Sequence, residues 1–351
     1  MTDAESSKPP RRPRYAGKNP RQFQEKYKEH APQEYPDDVA KVLASGKTPA
    51  GTHRPIMVKE ILQVLAPQPG QIAVDCTLGY GGHTQALLTA VAPTGKVIGI
   101  DADPVELPKT QARLQSLGFG EESFVAVRAN FAGLAQLLPR HAPEGADMIL
   151  ADLGVSSMQL DNPERGFTWK GDAPLDMRLN PQKGPTAAEL LSRIDADELA
   201  GLLTDNSDEP LAKVLAHAIT SRQRSRPLQT TKDLAELIRE SAGRYSNDAG
   251  DIETTVRRVF QAVRIAVNNE LDVLDAFLKQ LPWCLKPGGR VAILTFHSGE
   301  DRRVKHHFKA GQRDGLYSSI AENVTRASGE ERRENTRSIP AKLRWAVRSE
   351  A

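Results

Sequence analysis

The stretch Ala73-Val74-Asp75-Cys76-Thr77-Leu78-Gly79-Tyr80-Gly81-Gly82-His83-Thr84 constrains this chain more than any other. Apolar Ile72, Ala73 and Val74 run into an acid, and Gly79, Gly81 and Gly82 follow within four residues. Glycine reaches positive φ and lets backbone approach a ligand where a Cβ would clash. A buried strand feeding such a turn at the start of a helix opens a nucleotide-type site in a parallel α/β sheet. Glycine-rich turns also arise from packing alone, and the spacing here is not G-x-G-x-x-G. A dinucleotide is therefore not the first choice.

The flanking pattern extends the same architecture. A short amphipathic helix is expected at 58–65, ended by Pro67, Pro69 and Gly70. Strands are expected at 72–78, 96–100, 123–128 and 147–151, with helical segments between them. That alternation predicts an α/β fold with a doubly wound, Rossmann-like parallel sheet. It breaks from 165 to 251, where only loop and helical patterns occur. Helices are expected there at 186–193, 196–203, 211–222 and 231–240, the last capped by Thr230 or Thr231. The break reads as an inserted all-helical domain at 165–251, with the sheet domain formed by 53–164 and 252–351.

Beyond the break, Phe260, Val263, Val267, Leu271, Leu274, Leu278 and Leu281 recur at three- and four-residue steps. This predicts one long helix with a continuous apolar stripe. A turn at 286–289, a strand at 290–296 and an edge strand at 341–348 follow.

With 351 residues, 39% hydrophobic and 26% charged, the chain has the composition of a soluble globular protein. No apolar run approaches the roughly 18–20 residues of a membrane helix, so no membrane partner is expected. No signal-peptide core is evident, which makes a cytoplasmic location the expectation. Cys76 and Cys284 are far apart and form no CxxC, so neither a zinc site nor a disulfide framework is expected. The formal net charge is only +2, yet residues 1–30 carry Lys8, Arg11, Arg12, Arg14, Lys18, Arg21, Lys26 and Lys28 against four acids. Residues 1–52 are expected to be a basic, disordered arm, with one helical turn at 37–44.

Ligands of an open parallel sheet lie outside the carboxyl ends of its strands. Those ends deliver Asp75 with the glycine turn, then Asp101, Asn130-Phe131, Asp152-Leu153-Gly154-Val155-Ser156-Ser157, and His297-Ser298. Asp101 suits the two hydroxyls of a ribose; the alternative is a helix N-cap at Asp101 or Asp103. Phe131 suits an adenine face; the alternative is plain core. An acid after the second strand fits NAD and S-adenosylmethionine equally. Asp75 and Asp152 would repel a pyrophosphate, whereas an ammonium and a sulfonium would be attracted, and that favours methyl transfer. The loop from Gln159 through Arg165-Gly166-Phe167 to Pro174-Leu175-Asp176-Met177-Arg178 lacks helical periodicity and has the glycine, aromatic and charged content of a functional loop. Arg302, Arg303, Lys305, His306 and His307 could meet phosphates or form a solvated helix face.

Taken together, these strings resemble the ribosomal RNA small subunit methyltransferase H family, of MraW type. The matching segments are His53-Arg54-Pro55, Asp75 to Thr84, Gly99-Ile100-Asp101-Ala102-Asp103-Pro104, Asp152 to Ser157, Arg165-Gly166-Phe167, Pro174 to Arg178, Phe260 to Leu271, and Phe296-His297-Ser298. Gly299 and Met158 depart from the residues usual there, and Pro340 interrupts a usually serine-rich run. The resemblance implies a methyltransferase sheet with an inserted helical domain, S-adenosylmethionine as cofactor, and methylation of a cytidine N4 in the decoding region of 16S ribosomal RNA. The expected partner is that RNA within the small subunit or its precursor, with the enzyme a monomer or homodimer. Position by position, the resemblance assigns Gly81, Gly82, His83, Asp101, Phe131, Asp152 and Gln159 to the cofactor, Gln159 on its authority alone. Asp152, Ser156 or Ser157 is expected to orient the target amine. Arg222, Arg224, Arg226, Arg302, Arg303 and Lys305 are the expected phosphate contacts. The rival readings are an RNA-binding assembly factor without turnover and a nicotinamide-dependent dehydrogenase.

Overall fold

The structure is a computed structural model that describes residues 55–350. The basic arm, the helical turn at 37–44, His53 and Arg54 lie outside those residues.

Period-two alternation of apolar side chains builds the sheet. In β1 (Ile72–Asp75), Ala73 enters one buried cluster and Val74 the other; β2 (Lys96–Asp101) repeats this with Val97 and Ile98. Because successive side chains point to opposite faces, each strand must be covered on both sides. On one side, α1 (Val58–Leu65), α2 (Gly82–Val91) and α3 (Glu106–Ser116) supply Ile61, Leu65, Leu87, Leu88 and Leu114.

The other side is closed by α4 (Leu134–Leu137), by Phe277 and Leu278 of a later helix, and by Phe308. The strands β3 (Phe124–Arg128), β4 (Ala146–Asp152), β5 (Leu285–Thr295), β6 (Tyr317–Ile320) and β7 (Lys342–Arg348) complete a seven-stranded sheet of order β3-β2-β1-β4-β5-β7-β6. Strands β1 to β5 are parallel, and β7 runs antiparallel between β5 and β6.

Between β4 and β5 the chain leaves the sheet. After α5 (Ser157–Asp161) and a long loop come α6 (Ala187–Arg193), α7 (Ala196–Ser207), α8 (Ala212–Ser225) and α9 (Thr231–Ala242). Thr186 caps α6 and Thr230 caps α9, each accepting a hydrogen bond from the amide three residues on. These helices bury Leu191, Leu199, Leu215, Ile219, Leu234 and Ile238 in a third cluster, closed by Val256, Val259 and Phe260 of α10 (Ala249–Asn268).

Several expectations change. The single long helix is two, α10 and α11 (Glu270–Cys284), broken at Asn269, whose φ is 53°. Its apolar stripe is divided accordingly: Phe260 and Val263 serve the helical cluster, while Leu274, Leu278 and Leu281 serve the sheet, joined there by Phe277. Strand β1 stops at Asp75 rather than at residue 78. Residues 286–289 form a bulge within β5, because Ala146 pairs with Leu285 but Met148 with Arg290. The segment expected at the edge, β7, is internal, and the short β6 takes the edge. Arg302 to His307 lie on a helix, α12 (Ser298–Arg313), one of the two readings of that cluster, and α13 (Gly329–Glu334), not expected, follows β6.

Asparagine tolerates the left-handed region better than other side chains. Replacing Asn269 by alanine should therefore cost about 1 kcal/mol, and replacement by glycine should not. Urea titration of the two variants measures the difference.

Candidate active site

Chain order reverses between β1 and β4, so the crevice of the sheet opens where their carboxyl ends meet. The turn after β1 is stitched to both neighbours. The amide of Cys76 donates to Leu150 O of β4, and that of Leu78 to Ile100 O of β2, both at 2.8 Å. Asp75, 1% exposed, accepts from Thr77 N at 3.1 Å and from Thr84 Oγ1 at 2.7 Å. Thr77 Oγ1 in turn accepts the amide of Asp152 at 2.7 Å. Burial pushes the Asp75 carboxyl above the usual carboxylate range, and the Thr84 hydroxyl opposes that shift.

The glycines answer to their neighbours. A Cβ on Gly82 would lie 2.6 Å from Pro55 Cγ; on Gly81, where φ is 80°, it would lie 2.8 Å from Thr110 Cγ2. From α3, Thr110 Oγ1 donates to Gly79 O at 2.5 Å, and Arg113 donates to Tyr80 O through Nη2 at 2.6 Å while lying over the Tyr80 ring. The turn is clamped from outside as well as from the sheet.

Asp101 Oδ2 accepts the amide of Gly79 and its Oδ1 that of Asp103, each at 2.8 Å. A carboxylate offers about four lone-pair sites, so room for two hydroxyl donors remains. Burial raises its pKa to about 6. Across the crevice, the buried His83 places Nε2 3.5 Å from Asp152 Oδ2. Neither Nε2 nor Asp152 Oδ1 has a hydrogen-bond partner among the described residues. Burial disfavours the imidazolium, but the Asp152 and Asp75 carboxylates outweigh it and hold the His83 pKa above its ordinary value.

The other expected residues are placed as follows. Phe131 stands half-buried, edge-on to Phe277 with ring centroids 5.2 Å apart. Gln159 is committed at both ends of its amide: Oε1 accepts from Ser156 N at 2.9 Å, and Nε2 donates to Asp103 Oδ2 at 2.9 Å. Ser156 caps α5, accepting the amide of Gln159, and Ser157 is the first residue of that helix. The short α5 stands where a loop was expected, because Ser156 and Gln159 form a capping box. His297 and Glu300 likewise form the capping box of α12, and Ser298 Oγ donates to Asp208.

Among the expected phosphate contacts, Arg302 is paired with Asp208, Arg303 with Asp275 and Arg226 with Asp233. Arg222, Arg224 and Lys305 have no ion pair among the described residues. Sequence reasoning missed Thr77, Thr84, Thr110 and Arg113. Their partners are set by the meeting of strands and helices distant in sequence, and a lone threonine carries no signal of that.

A doubly wound sheet with acids at the ends of its first, second and fourth strands places the chain in the Rossmann-like α/β class. Within that class it belongs to the MraW methylase family, which residues 50–349 match. The chain is 48% identical over 342 residues to ribosomal RNA small subunit methyltransferase H 1 of Lachnoclostridium phytofermentans, across 97% of this chain and 93% of that protein. It is also 48% identical to ribosomal RNA small subunit methyltransferase H 1 of Agathobacter rectalis, across 97% and 98% of the two chains. A more distant relative, ribosomal RNA small subunit methyltransferase H of Rubrobacter xylanophilus, is 39% identical across 86% and 97%.

Overpacking a closed contact costs about 1–3 kcal/mol. Gly82→Ala should lose that much stability in urea, because the Pro55 ring has no flexible end to move aside.

Proposed function

We propose that the chain transfers a methyl group from S-adenosylmethionine to small-subunit ribosomal RNA, at the N4 amino group of a cytidine in the decoding region. The observation that carries this reading is the pairing of His83 with Asp152 at the β1/β4 crevice, with Asp101 at the end of the neighbouring β2, in a chain nearly half identical to proteins named ribosomal RNA small subunit methyltransferase H 1.

The residues suit that cofactor. Asp101 has acceptor capacity left for ribose hydroxyls, Phe131 offers a half-buried ring for adenine, and the acids at the crevice complement an ammonium and a sulfonium. Gly81, Gly82 and His83 form the wall beside the methionine end, and Gln159 supports it by fixing the Ser156 amide and Asp103. When bound, S-adenosylmethionine supplies an electrophilic methyl on a positively charged sulfur.

The protein's own part is alignment and proton acceptance. Cytidine N4 is a weak nucleophile because its lone pair is delocalised into the ring. Holding it in line can account for several kcal/mol of barrier, about 7 or more in favourable cases. The partly exposed Asp152 carboxylate is the acceptor for an N4 hydrogen, with the Ser156 or Ser157 hydroxyl, a few residues on in the chain, as the other candidate. The base reaches the crevice from single-stranded or flipped-out RNA. Arg222 and Arg224 of α8, and Lys305 of α12, contact phosphates.

Labelled S-adenosylmethionine with small subunits from a strain lacking the gene, followed by nucleoside analysis, tests the reading directly. N4-methylcytidine is the expected product; label on another base sinks the N4 assignment, and no label favours an assembly factor without turnover. Asp152→Asn should reduce transfer at least 100-fold, on the scale of a lost general base.

Cofactor affinity should also depend on pH. A protonated Asp101 accepts fewer hydrogen bonds, so calorimetric affinity should be full only well above pH 6 and fall as the pH drops through about 6. Asp101→Asn should bind weakly and without that dependence. Replacing Arg222 and Arg224 together should flatten the slope of log affinity for RNA against log salt by about 1.5.

A further inference from the structure

The loop that leaves α5 is held more firmly than a connection needs to be, and Arg165 is its centre. Arg165 Nη1 donates to Asp103 Oδ2 at 2.8 Å, while Nη2 donates to the carbonyl oxygens of Arg178 at 3.0 Å and Leu179 at 2.9 Å. Asp103 is 1% exposed. Its Oδ2 also accepts Gln159 Nε2, its Oδ1 accepts the amide of Val105 at 2.9 Å, and its own amide donates to Asp101. One residue, through its carboxylate and its amide, thus ties together the end of β2, the approach to α3, α5 and the first loop of the helical insertion.

The same loop is held from the opposite side by α10. Asn268 Nδ2 donates to Met177 O, and Asn268 Oδ1 accepts the amide of Leu179, both at 2.7 Å. Between the two anchors the buried Met177 takes φ 61°, a conformation side chains avoid. Gly166, with φ 70°, lies so close to the 174–176 backbone that a Cβ would fall 2.4 Å from Pro174 O. The amide of Leu175 donates to Gln229 O, just before α9.

A buried ion pair adds little to stability compared with apolar packing, so its cost points to a geometric purpose. We propose that Arg165 and Asp103 form a positioning bracket. It sets the 177–179 backbone, and through Asn268 the helical insertion, at a fixed place relative to the cofactor-side carboxylate Asp101. The bracket gives the Arg165-Gly166-Phe167 and Pro174 to Arg178 motifs a shared role, which is to register the RNA-facing part on the methyl-donor part. This inference rests on the methyl-transfer reading given above.

Only a guanidinium has the geometry for that role. A lysine keeps the charge facing Asp103 but cannot also span the two carbonyls. Arg165→Lys is therefore the informative variant, measured for melting temperature, S-adenosylmethionine affinity by calorimetry, and kcat and KM with unmethylated small subunits. It should stay folded and bind cofactor within about threefold of wild type, while kcat falls on the order of 10- to 100-fold, the scale of a misplacement near 1 Å. Asn268→Ala, which cuts the bracket from the α10 side, should act alike. The double variant should lose no more than the worse single one, since both remove the same constraint.

Wild-type kcat and KM in either variant overturns the bracket. Equal losses in cofactor binding and turnover overturn it too, placing Arg165 in the cofactor pocket alone. A flattened salt dependence of RNA binding overturns it in favour of a direct phosphate contact. No transfer by the wild-type chain would sink the methyl-transfer reading itself, whereas wild-type transfer with unaffected variants sinks only the bracket.

Discussion

One hydroxyl ties the two lips of the crevice together. Thr77 Oγ1 receives the amide of Asp152 and faces the Asp75 carboxylate, so the two strands flanking the reversal of chain order are joined just beyond their last pairing. That link adds to the bond from the Cys76 amide to Leu150 O at the point where the sheet opens, beside the facing His83 and Asp152. The surrounding contacts add to it. Thr84 holds Asp75 from the start of α2, and Arg113 and Thr110 press the turn inward from α3. A crevice needs rigid lips, and these bonds make them.

The sheet was legible in the sequence because its physical signal is local. Ala73/Val74 and Val97/Ile98 alternate toward two faces, and each of these strands ends on an acid that cannot be buried without a partner. The four helices α6 to α9, between β4 and β5, were legible because their periodicity differs in kind. The break at Asn269 was not, because the apolar spacing continues through it unchanged; only the direction in which each half faces differs, and two separate cores decide that. For the same reason β7 read as an edge: its alternation of apolar and charged residues looks solvent-facing until Arg344 finds Asp301 and Lys342 joins the pair.

The candidate site divides along a similar line. Residues whose place at a strand end is itself the signal, Asp101 and Asp152, announce themselves. Those that act through a partner do not. Gln159, carried over by resemblance, turns out to spend its amide on Ser156 and Asp103, and Ser156 spends its oxygen on capping α5. Glycine proved ambiguous in the expected way: Gly81 and Gly82 fit the turn, but Thr110 and Pro55 already exclude a side chain there, so their identity alone does not speak of a ligand.

The place where the helical part enters the sheet has an evolutionary consequence. Ile149 and Val291 are direct partners although the whole insertion lies between them. The entropy of closing a loop grows only with the logarithm of its length, about 0.6 kcal/mol per doubling. Length at this junction is therefore almost free, provided the inserted segment buries its own apolar surface, as the cluster around Leu215, Leu234 and Val259 does. Lineages can lengthen, shorten or recompose the outer helices at small cost to the central strands. The sheet and the inserted helices are thus able to diversify at different rates.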